Sequence, residues 1–177
     1  MMKNLNTYIN EKLVIIHYDP YSCAPETKEE LREIIADRLK KDPNANLNDI
    51  DVSNITDMSE LFFDLDPHNI DISEWDVSKV KDTHCMFYDC REFNSDLSKW
   101  DMSNAEFMDF MFWKCWKFDS DLSQWNVSKV KDMNHTFYDC RKLNTNLNNW
   151  DVSNVADMGR TFYHCFSMTE HPKWCSE

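Results

Sequence analysis

Four cysteines, Cys90, Cys115, Cys140 and Cys165, recur 25 residues apart. A column of thiols raises metal ligation as the first chemistry to weigh. Equivalent residues of stacked repeats lie about 5 Å apart along one line. Tetrahedral zinc instead draws its ligands from several directions, usually as paired CxxC sites. One thiol per repeat therefore reads as small core filler. His164, Cys165, His171 and Cys175 come nearer to ligand spacing, but they too lack a CxxC pair, and no metal is expected.

The carboxylates and hydroxyls repeat in the same way. Asp51, Asp76, Asp101 and Asp151 form one acidic column, and Asp71, Asp96 and Asp121 another. Like charges this close must be solvated or hydrogen-bonded. Calcium would relieve them, but neither an EF-hand nor a glycine-rich calcium pattern is present, and no cofactor is expected. Ser53, Ser78, Ser103, Ser128 and Ser153 share one position and read as partners for backbone groups at a turn. A nucleophile needs an oriented base and an oxyanion hole, whereas each of these residues has a structural reason to recur. The single glycine, Gly159, excludes phosphate-binding loops, dinucleotide fingerprints and nucleophile elbows. The chain is not expected to be an enzyme.

What must position these columns is a repeat. Trp75, Trp100, Trp125 and Trp150 are spaced by 25 residues, and five units run in phase from Asp51 to Cys175. Position twelve is always Phe: Phe62, Phe87, Phe112, Phe137 and Phe162. Apolar columns that recur without drift mean that equivalent residues stack along one core. Within a unit, Met108, Met111, Phe112 and Cys115 have the spacing of one helical face. Asp57, Asp82, Asp132 and Asp157 stand where they would cap that helix. The stretch 93–100 suits a short strand and turn. The expected fold is α/β, a leucine-rich-repeat-like solenoid of five strand–turn–short-helix coils over residues 51–177. Residues 1–49 are expected to form an N-terminal cap. Leu13–Ile16 reads as a strand, and Thr27 and Glu30 open a helix over about 27–41 with a capping box.

The strings Trp75-Asp-Val-Ser-Lys-Val-Lys-Asp82, Met86-Phe-Tyr-Asp-Cys90 and Phe93-Asn-Ser-Asp-Leu-Ser-Lys-Trp100 resemble the BspA-type leucine-rich repeat. The match is to the 25-residue variant found in mycoplasmal lipoproteins and bacterial surface proteins. The resemblance covers residues 51–175. It implies an α/β solenoid that binds other proteins and performs no chemistry.

The formal charge is −13, from 32 acids and 19 bases. An acidic chain is repelled by phosphate backbones and anionic lipid, so no direct nucleic-acid or membrane contact is expected. Residues 51–177 hold 23 of the acids and 12 of the bases. No signal-peptide core precedes the helix, so the expected location is the cytoplasm, with the seven cysteines reduced.

The third unit departs from the pattern. Phe107 stands where the others have Asp, Phe110 where they have Glu60, Cys85, His135 or Arg160, and Trp116 where two have Arg91 and Arg141. With Met108, Met111 and Phe112 inward, Phe107, Phe110 and Trp113 lie on the other side. Packing within the aromatic column Phe63, Tyr88, Trp113, Tyr138, Tyr163 accounts for Trp113 but not for the others together. Phe107, Phe110, Trp113 and Trp116, flanked by Glu106 and Asp109, are therefore the candidate partner-binding residues. The expected partner is a protein with a basic surface, or a second copy through this unit. Two functions fit: a non-enzymatic protein-interaction module, and a small acidic inhibitor of a basic nucleic-acid enzyme, such as a phage anti-defence or immunity protein.

Overall fold

A computed structural model describes residues 21–175. The strand expected at Leu13–Ile16 lies outside the described residues. The sequence from Thr27 builds α1, Lys28–Leu39. The Thr27 hydroxyl accepts from the Glu30 amide at 3.2 Å. The Glu30 carboxylate reaches back one residue further than in a standard capping box and accepts from the Glu26 amide at 2.9 Å. Leu31, Ile35 and Leu39 are buried, and the chain turns away just before Pro43.

Among the described residues, α1 is the only helix, and there is no sheet. This overturns the expected strand–turn–short-helix solenoid and with it the leucine-rich-repeat reading. Residues 25 apart do meet, but through isolated parallel bridges: Asp57 to Asp82, Asp82 to Phe107, Phe107 to Asp132, and Asp132 to Asp157. The expected helix fails for a backbone reason. Glu60, Cys85, Phe110, His135 and Arg160 have φ between 52° and 57°, and four residues on, Asp64, Asp89, Lys114, Asp139 and His164 have φ between 58° and 64°. A left-handed residue ends a right-handed helix, so the helical apolar spacing is realised as consecutive turns.

The amides of this segment alternate between two destinations. Those of Cys85, Phe87 and Asp89 donate to the carbonyls of Asp109, Met111 and Trp113 in the next layer, while those of Met86, Tyr88 and Cys90 donate back three residues. Phe110, Phe112 and Lys114 repeat the pattern toward Asn134, Thr136 and Tyr138. The backbone groups are thus satisfied without strands. The aspartates serve the same end. Instead of capping helices, Asp57, Asp82, Asp132 and Asp157 each accept the amide two residues on, as do Asp76, Asp96 and Asp121. These are Asx turns.

The core consists of ladders. Phe62, Phe87, Phe112, Phe137 and Phe162 stack with centroids 5.0–5.5 Å apart. The indoles of Trp75, Trp100, Trp125 and Trp150 are buried, and each donates to a carbonyl 28 residues earlier. The last rung is Trp174, stacked 6.3 Å from Trp150 and bonded to the Leu147 carbonyl. The fifth repeat thus reaches its tryptophan one residue early, a deletion that strict 25-residue phasing conceals. The thiols are more than filler: Cys115, Cys140 and Cys165 each point Sγ at the carbonyl of a phenylalanine 28 residues earlier, at 3.0 Å. Burial pushes the Cys115 and Cys140 thiols well above their usual range.

Helix α1 closes the first layer. Arg32 donates to the carbonyls of Glu60, Leu61 and Phe63, and Lys28 pairs with Asp57. In later layers, the carbonyls in register with Leu61 accept amides from the layer before, as do Trp113, Tyr138 and Tyr163 in register with Phe63. The Arg32 guanidinium stands in for that layer.

Candidate functional site

The third layer places Met108, Met111, Phe112 and Cys115 in the core, each fully buried, and its other large rings at the surface. Phe107 is 40% exposed, while Phe110, Trp113 and Trp116 are half-buried. The four surface rings follow each other at intervals of three residues along the turn segment.

Phe107 replaces an Asx aspartate. The layers on either side use Asp82 and Asp132 to hold the amides of His84 and Asn134. Phe107 has no side-chain acceptor, so the third layer gives up that bond and presents a ring instead. Phe110 sits at a left-handed position, φ 55°, stacked 4.8 Å from His135 and edge-on to His84. A bulky residue is a costly choice for that backbone, which Asn, Asp or Gly tolerates better.

Trp113 lies in the surface ladder between Tyr88, at 4.3 Å, and Tyr138, at 6.0 Å, with Lys114 Nζ 3.9 Å above its ring. Trp116 lies between guanidiniums of the neighbouring layers, Arg91 at 4.5 Å and Arg141 at 4.3 Å from its centroid. Its indole N–H donates to Asp139, which also takes a two-point contact from Arg141. Burial raises the Asp139 carboxyl, but the hydrogen bonds from Arg141 and Trp116 outweigh it and hold the group below the usual carboxylate range. Cation–ring contacts of this kind contribute about 0.5–1 kcal/mol at exposed sites.

The two acids beside the rings are engaged within the chain. Glu106 pairs with Lys131 at 2.5 Å, and Asp109 with His84 at 2.5 Å. Lys131 also stands 5.8 Å over the Phe107 ring. Sequence reading missed these cations. Their signal was register: Arg91 and Arg141 flank Trp116 in its own column, and column neighbours one repeat apart touch. The structure gathers Phe110, Trp113 and their tyrosine and histidine neighbours into one aromatic strip. Phe107 and Trp116 lie at its two margins, each held under cations.

The described residues contain no cluster of three or more His, Cys, Asp or Glu side chains able to hold a metal ion. No helix among them is long and apolar enough to cross a membrane. Cys85, the thiol nearest the strip, is pushed up to about 12 by burial and by the carboxylates of Asp109, Glu60 and Asp82, so it stays protonated.

No curated protein and no solved structure matches the chain. The family described as Mycoplasma protein of unknown function, DUF285, matches residues 30–133 and 107–175. Those segments cover most of the sequence, and the chain belongs to that family.

Proposed function

We propose that the protein is a non-enzymatic interaction module that binds a protein partner through the aromatic strip of its third layer. The observation that carries this reading is Phe107. Position seven of the other layers holds an aspartate that fastens a turn, and here that bond is exchanged for an exposed ring. Phe110 adds a bulky side chain at a left-handed backbone position. Both choices work against the fold locally, and exposed aromatic anchors are what binding surfaces use. The net charge of −13 favours rapid encounter with a partner of basic surface.

The test exploits the repeat. Phe107→Asp and Phe110→His give the third layer the residues that the fourth layer carries. This double variant should melt at or above the wild-type temperature, because the introduced aspartate restores the Asx acceptor. It should lose the partner that the tagged wild-type chain retains from the source cell in a salt titration, or lose self-association in sedimentation velocity. A folded variant that binds at wild-type strength would move the site off this strip.

A further inference from the structure

The two ends of the stack are unlike. Inside it, each layer donates a row of amides to the next. Met133, His135, Phe137 and Asp139 give theirs to the carbonyls of Asp157, Gly159, Thr161 and Tyr163. The fifth layer is the last among the described residues, and its amides in that register are those of Met158, Arg160, Phe162 and His164. None of the four has an acceptor among the described residues. Phe162 is 1% exposed, so its amide is shut off from water as well, and a buried amide without a partner is rare. The side chains at this end are open too. Val152, Val155 and Met158 are partly exposed, whereas Val127, Val130 and Met133 one layer earlier are buried. The opposite end offers carbonyls. Those of Asp57, Ser59, Leu61 and Phe63 stand in the register that accepts a preceding layer. Arg32 takes the Leu61 and Phe63 carbonyls, and Lys28, one turn earlier on α1, holds the side chains of Asp57 and Ser59.

We propose that the amide edge of the fifth layer seats the carbonyl edge of a second copy of this chain, head to tail, and that α1 is the cap that withholds that carbonyl edge. A shift of five repeats brings Met158 opposite Asp57, Arg160 opposite Ser59, Phe162 opposite Leu61 and His164 opposite Phe63. The join then repeats the one between the fourth and fifth layers. The donor pattern decides the occupant. A β-strand carries N–H as well as C=O groups along each edge, so it would set donors against these donors. Two copies meeting tail to tail would face one row of amides with another. A row of carbonyls matches, and the first layer carries it. The contact is heterologous, because each copy that joins brings a fresh amide edge, so uncapped copies add without a fixed end. Capping by α1 therefore keeps the stack from growing.

Lys28→Ala with Arg32→Gln uncaps the full chain. Sedimentation velocity over a concentration series should show this variant growing well past a dimer. Its weight-average mass should rise about threefold or more above that of the wild type. Urea unfolding followed by tryptophan fluorescence checks that the variant is folded; where it is not, Arg32→Gln alone carries the same test. Excess wild-type chain has an open amide edge and a covered carbonyl edge, so it should stop growth and shorten the assemblies. Val155→Lys in the uncapped chain, which sets a charge on the open end, should restore wild-type sedimentation. A folded uncapped variant that sediments as the wild type does would overturn the proposal. So would growth that halts at a dimer, or growth that neither excess wild type nor Val155→Lys reduces. Phe107→Asp should leave growth unchanged, which separates this contact from the aromatic strip; growth abolished by Phe107→Asp would place the contact in the third layer instead.

Discussion

Removing the Arg32 guanidinium should open the first layer of the stack. Its Nη1 lies 2.7 Å from both the Glu60 and the Leu61 carbonyl, and its Nη2 lies 2.5 Å from that of Phe63. In every later layer the carbonyls in register with Leu61 accept a backbone amide from the layer before, as Met111 does from Phe87 and Thr136 from Phe112. A hydrogen bond to a charged donor contributes about 1.5–3 kcal/mol net when buried. These carbonyls are only partly shielded, so water recovers part of the loss, and Arg32→Ala should cost about 2–3 kcal/mol in all. With a urea slope of about 2 kcal/mol per M, the midpoint falls by about 1 M. The assay is equilibrium urea unfolding, followed by tryptophan fluorescence to report the indole ladder and by far-ultraviolet circular dichroism to report α1. Arg32→Lys should recover less than half of the loss, because an ammonium cannot span three carbonyls as a planar fork does. An Arg32→Ala midpoint within error of wild type, or full recovery by lysine, would show that the first layer closes without this cap.

Three further outcomes follow from the same geometry. Trp100→Ala should cost about 3–5 kcal/mol, because the indole is 3% exposed, stacks 6.4 Å from Trp75 and donates to the Ile72 carbonyl; a melting temperature within error of wild type would place the ring in solvent. Glu60→Gly should raise stability by about 0.5–1 kcal/mol, since glycine adopts φ 57° without the cost that other residues bear; a lowered thermal midpoint would refute the left-handed assignment. Hydrogen bonds from Ser78, Ser98 and Ser123 hold the Asp76, Asp96 and Asp121 carboxyls below their usual range. A depressed folded value stabilises above the unfolded one and is lost as pH falls through it, so the thermal midpoint should begin to fall below about pH 4. Asp96→Asn, which keeps the acceptor as Asn126 does naturally, should make that fall shallower, and an unchanged acid limb would discount the Asx carboxylates.

The sequence by itself determined which residues are equivalent. The 25-residue spacing of Trp75, Trp100, Trp125 and Trp150 and the unbroken Phe62–Phe162 column identify rings that must share a core, because apolar residues at a fixed period have to bury against their own copies. The start of α1 was equally legible, since Thr27 and Glu30 act within a few residues of each other. Backbone conformation was not. Met108, Met111, Phe112 and Cys115 have helical spacing, and a turn chain with a left-handed residue at Phe110 and another at Lys114 buries the same four. Only the tertiary structure decided between them, because the turns are held by amides that donate into the next layer, a partner absent from any local window. The same reason hid the Arg32 cap, the Sγ contacts of the cysteine column, and the pairing of Glu106 and Asp109 with Lys131 and His84. Each joins residues about a repeat or more apart, and sequence spacing identifies the residue types there without fixing where their hydrogen bonds go.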